Sequence, residues 1–147
     1  MDKALQIQED LKQAQLARDE IKVSTLRLLL SEINNAKIAK GQQLSDEDLV
    51  SVIGKEAKKR KEAAVGFRTG GREEQAAKEE SELKILQGYL PAQISDEELT
   101  EVVGQAITEV GASSISDMGK VIGLVMSKVK GQAEGGRVSS LVKERLL

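Results

Sequence analysis

Residues 86–98 read Leu86-Gln87-Gly88-Tyr89-Leu90-Pro91-Ala92-Gln93-Ile94-Ser95-Asp96-Glu97-Glu98. Pro91 is the only proline in the chain. A proline pushes the residue before it out of the helical region, so a helix arriving from upstream ends at Gly88 to Leu90. Ser95, with Glu98 three positions later, forms a capping-box pattern in which the two residues satisfy each other's backbone donors. One helix stops and another starts within a few residues, as at a boundary between helical domains. The spacing predicts domains over 1–92 and 93–147.

Working outward, apolar residues recur at helical spacing nearly everywhere. A first helix is predicted from Lys3 to Ala17, with Leu5, Leu11 and Leu16 facing inward. A second runs from near Asp19 to about Gly41, with Val23, Leu26, Leu30 and Ile33 on one stripe. Ser45 caps a third, whose first turn holds Asp46, Glu47 and Asp48 where acids suit the helix dipole. It lasts to about Arg68, and a fourth then carries Ala76, Leu83 and Leu86 inward. Beyond the proline, short helices are predicted over 96–109, 117–130 and 137–146, with Gly111 and Gly131 as C-caps. The expected fold is all-α: an elongated helical hairpin or bundle part, then a small three-helix carboxyl-terminal domain.

Composition narrows the chemistry. There is no cysteine, which excludes disulfides, thiolate metal sites and cysteine nucleophiles and suits a reducing compartment. There is no histidine, so the commonest general base and metal ligand is missing. Phe67 and Tyr89 are the only aromatics, too few for a base-stacking platform. No apolar run approaches the roughly 20 residues that span a bilayer. Met1-Asp2-Lys3-Ala4 already belongs to a helical pattern without a leader signal. The expectation is a cytoplasmic protein with no membrane partner.

Charge is sorted along the second part. Residues 93–117 hold six acids and no base, whereas 118–147 hold six bases against Glu134 and Glu144, a net charge of +4. A plain reading is that acids cap two helices and bases solvate the others. The segment 117–131 adds something to that. On a helical wheel Met118, Val121, Ile122, Val125 and Val129 gather on one side. Gly119, Gly123, Ser127, Lys120 and Lys130 gather on another. Glycine inside a helix costs ~1 kcal/mol relative to alanine, so two of them four apart ask for a cause. Two causes fit: a neighbouring helix packs closely on this face, or the backbone of a ligand does. The residues alone leave both standing.

For a polyanion the strip makes physical sense. A face without bulky side chains, edged by Lys120, Lys128, Lys130 and the Ser127 hydroxyl, lets phosphates approach peptide dipoles. The loop 131–137 adds flexible backbone donors at Gly131 and a guanidinium at Arg137 suited to phosphate, and Lys143 adds longer-range attraction. The loop lacks the Lys-Ser/Thr ending of a nucleotide-binding P-loop. On the third helix, Arg60 falls on the stripe Val50, Ile53, Ala57, Arg60, Ala64, Phe67. An arginine there is expected to lay its stem on the core and form a structural ion pair with a carboxylate. The adjacent Glu pairs at 73–74, 79–80 and 97–98 diverge on a helix, and 46–48 lacks the spacing of a calcium loop. No catalytic set, metal site or cofactor is expected.

Together these residues resemble the GatB/YqeY family, which comprises stand-alone YqeY-like proteins and the tail of the aminoacyl-tRNA amidotransferase B subunit. The resemblance covers essentially the whole chain. It is carried chiefly by 86–95 and by 117–146, with Met118-Gly119-Lys120 and Val129-Lys130-Gly131-Gln132-Ala133 its most specific pieces; Arg27, Arg60 and Gly71-Arg72 agree upstream. It implies an elongated helical part followed by a small helical tail. In the amidotransferase the tail helps hold misacylated tRNA, while other domains form the amide with glutamine and ATP. This chain resembles only the appendage and lacks a counterpart of the ATP- and magnesium-binding cradle. The expected function is therefore a tRNA- or structured-RNA-binding accessory protein, without DNA as a partner. The alternatives are a protein–protein adaptor in translation, or a non-catalytic component of a glutamine-dependent carbon–nitrogen ligase.

Overall fold

A computed structural model describes residues 2–147, and among them every regular element is helical. Seven α-helices follow one another: α1 (Lys3–Ala17), α2 (Glu20–Lys40), α3 (Asp46–Thr69), α4 (Glu73–Gln87), α5 (Asp96–Val110), α6 (Met118–Val129) and α7 (Gly135–Leu146). A short 3-10 turn, Ile115–Asp117, leads into α6. The protein is all-α. Contacts divide it into two units that meet between Leu90 and Pro91.

Local chemistry accounts for the ends of these helices. Asp2 caps α1 by accepting from the Ala4 amide at 2.8 Å. Ser45 and Asp48 form a reciprocal capping box at the start of α3, at 3.1 and 2.9 Å. At α5 only half of the expected box is present among the described residues: Ser95 Oγ accepts from the Glu98 amide at 3.1 Å, and Glu98 does not answer. Gly41 and Gly111 end α2 and α5 in the left-handed conformation. Helix α7 begins two residues earlier than its apolar spacing suggests, so Gly135 and Gly136 belong to its first turn rather than to a loop.

The first unit buries Ile7, Leu26, Leu29, Ile33, Leu49, Ile53, Ala57 and Leu86 in one core. The inward face of α1 runs through Ala4, Ile7, Leu11 and Ala14, a proper i, i+3, i+7 stripe. Leu5 and Leu16, expected inward, lie off that stripe and are 54% and 72% exposed. Further along, α3 and α4 form a hairpin with Ala64 and Ala76 buried. Charged side chains cross between its two arms: Arg68 pairs with Glu73 at 3.1 Å and also with Glu80.

Arg60 of this hairpin meets three carboxylates where one was expected. Its Nε lies 3.0 Å from Glu82 and 3.8 Å from Glu79, and its NH2 lies 3.5 Å from Glu56. Glu56 and Glu82 are buried. Burial raises the pKa of Glu79, the charge of Glu82 raises it further, and Arg60 opposes both.

In the second unit α5, α6 and α7 enclose Leu99, Val103, Ala106, Val121, Val125, Val129, Ala133, Val138 and Val142. In α6 the valines at 121, 125 and 129 are spaced four apart and fully inward. That spacing turns the opposite side of α6 to solvent.

Candidate nucleic-acid interface

The solvent side of α6 carries Gly119, Gly123 and Ser127, all exposed. A Cβ added at Gly119 or Gly123 would meet no atom within 4 Å. The close-packing explanation for these glycines is therefore left without a neighbouring helix. Ser127 Oγ donates to the Leu124 carbonyl at 2.7 Å, so its hydroxyl offers lone pairs outward rather than its proton.

At its carboxyl end α6 stops at Lys130, which holds a left-handed backbone at φ 42°, followed by Gly131 at φ 86°. A non-glycine residue at positive φ is uncommon, and here the second is again basic, Arg18. The chain then turns into α7. Among the described residues no side-chain hydrogen bond caps the start of α7, where helix geometry leaves the first amides without an intrahelical acceptor. A Cβ at Gly135 or Gly136 would also meet open space.

The tertiary structure separates the candidate cations by what they already hold. Lys120 is exposed and weakly lowers the pKa of Asp117, whose main cause of lowering is the amides of Ser113 and Ser114. Lys143 is exposed on the last turn of α7. Lys128 is engaged, with its Nζ 2.7 Å from Glu109 of α5. Arg137 is engaged more fully: it donates to Asp96 at 2.6 and 3.0 Å and to the Ile94 carbonyl at 2.7 Å. These contacts fasten the segment before α5 to the first turn of α7, beside the Ile94 amide bond to the Gln132 carbonyl at 2.9 Å. Arg137 thus has a structural task that residue type alone did not reveal.

Arg145 is a basic residue that sequence reasoning passed over. Its guanidinium covers Gly104 of α5, where an added Cβ would lie 3.5 Å from NH2. It shares an open groove with Glu97, Glu101 and Glu109, so this side of the unit is acidic. A glycine inside α5 was the available signal, but its partner lies 41 positions away. Among the described residues no three carboxylates are grouped so as to hold a metal ion. Among the same residues no helix is long and apolar enough to cross a membrane.

Fold and surface define a class: a two-unit, all-helical protein whose second unit presents an open glycine strip beside exposed lysines. The family model of the YqeY-like proteins matches residues 4–146, and the chain belongs to that family. Among curated proteins it is similar to altered inheritance of mitochondria protein 41, mitochondrial, of Pyrenophora tritici-repentis, with 32% identity over 94% of this chain and 77% of that protein. The protein of the same name from Clavispora lusitaniae is 30% identical over 91% of this chain and 79% of its own length. The one from Vanderwaltozyma polyspora is 40% identical over 58% of this chain, which spans 47% of it.

Proposed function

We propose that this chain binds structured RNA, with tRNA the foremost ligand, through the surface formed by α6, the 130–134 connection and the start of α7. The carrying observation is the vacancy around Gly119 and Gly123. Two glycines in an exposed helix forgo ~1 kcal/mol each relative to alanine without any internal packing reason. A phosphodiester backbone laid along the strip supplies such a reason. Lys120 and Lys130 edge the strip, Gly131 and the uncapped amides of α7 offer backbone donors, and Lys143 adds long-range attraction. Lys128 and Arg137 join by exchanging Glu109 and Asp96 for phosphate.

Recognition in this reading rests on shape and phosphate, because the unit that carries the strip has no aromatic side chain of its own. The resemblance to the amidotransferase tail favours tRNA and an accessory role rather than a catalytic one. The test is a titration of the full chain against mixed tRNA at low and at physiological salt. Counterion release makes phosphate binding fall steeply with salt, by about 0.9 in log–log slope per contact on duplexes. Lys120→Gln with Lys130→Gln should flatten that slope and weaken all tRNAs alike. Salt-insensitive binding, or a double variant that binds as the parent does, would remove this reading.

A further inference from the structure

The first unit carries a groove that RNA binding does not use. It lies where α1 turns into α2, is lined by Arg18, Glu20, Val23, Ser24, Arg27 and Leu28, and has a volume of about 530 Å³. Leu28 is 52% exposed. Ile21 and Leu16, close in sequence, are exposed as well.

The two arginines are the informative residues. Neither forms a side-chain hydrogen bond or ion pair among the described residues, whereas Arg60, Arg68 and Arg137 all do. Arg18 also occupies the left-handed C-cap of α1 at φ 56°, the position that glycine fills in α2 and α5. Retaining a side chain there costs backbone energy. The helix dipole at the end of α1 favours a cation at Arg18, but it gives no reason for Arg27 in the body of α2.

We propose that this groove docks an acidic amphipathic segment of a partner protein. An apolar side chain of the segment would rest on Val23 and Leu28, with flanking carboxylates taken by the forked donors of Arg18 and Arg27. Charge complementarity selects an acidic occupant, and the exposed leucine selects one with an apolar anchor. Glu20 in the lining works against any anionic occupant, so it is the apolar wall of Val23 and Leu28 that favours a peptide with an apolar anchor over a phosphate backbone. This inference stands apart from the RNA reading, since it uses a different unit and different side chains.

The experiment is a phage selection from a random-peptide library on the immobilised full chain, with tRNA present as competitor. Enriched peptides should carry acids on both sides of an apolar residue. A synthetic copy of one, titrated by fluorescence anisotropy, should lose about tenfold or more in affinity to Arg18→Glu with Arg27→Glu. Leu28→Ser should weaken it, and Glu20→Gln should strengthen it. The Lys120→Gln/Lys130→Gln variant should bind the peptide as the parent does, whatever it does to tRNA. All these positions are exposed, and a thermal melt of each variant confirms that it is folded. No enrichment, enrichment without the acidic–apolar pattern, or unchanged binding by the charge-reversed pair each overturns the proposal. So does a charge-reversed pair whose main loss is in tRNA affinity, which would assign the arginines to RNA.

Discussion

The Arg137 guanidinium grips Asp96 across 41 residues of sequence, with NH2 and Nε 2.6 and 3.0 Å from the same carboxylate oxygen. The pair joins the start of α7 to the start of α5, and Asp96 is 83% exposed. The guanidinium belongs to the first turn of α7, of which Arg137 is part. Asp96→Ala removes both of these bonds and a neighbouring negative charge, leaving the Ile94 carbonyl as the guanidinium's partner. Stability should fall by less than about 1 kcal/mol, as for a surface ion pair with a first-turn acid. Affinity for tRNA should rise in the same variant. A filter-binding titration beside a thermal melt measures both, and unchanged affinity would show that Arg137 is structural only.

Gly123 offers a test that separates folding from binding. Because a Cβ there meets nothing within 4 Å, Gly123→Ala should stabilise the protein by about 1 kcal/mol. Gly123→Leu should also fold at least as well as the parent, yet it would stand a side chain on the strip. Weakened tRNA binding by the leucine variant, at undiminished melting temperature, is the expected pair of results. A leucine variant that melts early would mean that something covers the strip after all.

Arg60 is expected to behave differently from a surface arginine. Arg60→Met leaves Glu56, Glu79 and Glu82 together without a counter-charge from Arg60, two of them buried. A loss of about 3–5 kcal/mol follows, read by urea denaturation. Replacement by an apolar isostere is tolerated where a single partner can be neutralised, but three acids make that route closed. Glu82→Gln should be milder, since Glu56 and Glu79 still face the guanidinium.

The pKa of Glu79 is raised in the folded protein, which fixes a sign with pH. Below its unfolded value both states carry the proton, and the group costs nothing. As pH rises through the folded value, the carboxylate must ionise inside the cluster, and stability is lost. Glu79→Gln avoids that ionisation. Its melting temperature relative to the parent should therefore be near zero difference at pH 4 and increasingly positive towards pH 7. Asp48 runs the other way: its pKa is held at about 2 by Lys40 and by Ser45, so its contribution is full above the ordinary carboxylate value and is lost as the pH falls from there towards 2. A flat difference between Glu79→Gln and the parent across this range would contradict the cluster.

Tyr89 is the last prediction. Its hydroxyl donates to Asp10 at 2.5 Å, while Lys3 Nζ donates to its carbonyl at 2.7 Å, so α1 is tied to the residues just before Pro91. Tyr89→Phe should cost about 1 kcal/mol, because Asp10 is only partly buried and regains water. It should also speed proteolytic cutting near residues 90–93 relative to the 69–72 turn. A variant with the parent's melting temperature and cleavage pattern would show that the tie carries no weight.

Signals that lie within a few positions of one another were legible from residues alone. Pro91, the Ser45 and Ser95 caps, the terminal glycines and the 3.6-residue apolar period act over one or two helical turns, and the helices begin and end within about two residues of where those signals lie. The glycine strip of α6 was visible for the same reason. Its openness was not, because whether a neighbour covers a helix face depends on where other helices pack. Leu5 and Leu16 turned outward because the stripe through Ile7 and Ala14 won the core, a choice made by α2 and α3 rather than by α1. The pairings of Arg137 with Asp96, Lys128 with Glu109, and Arg60 with acids of α4 belong to the tertiary structure alone. A charged side chain is read easily in a sequence, but its partner is set by distance in space, and only packing brings residues dozens of positions apart within hydrogen-bonding reach.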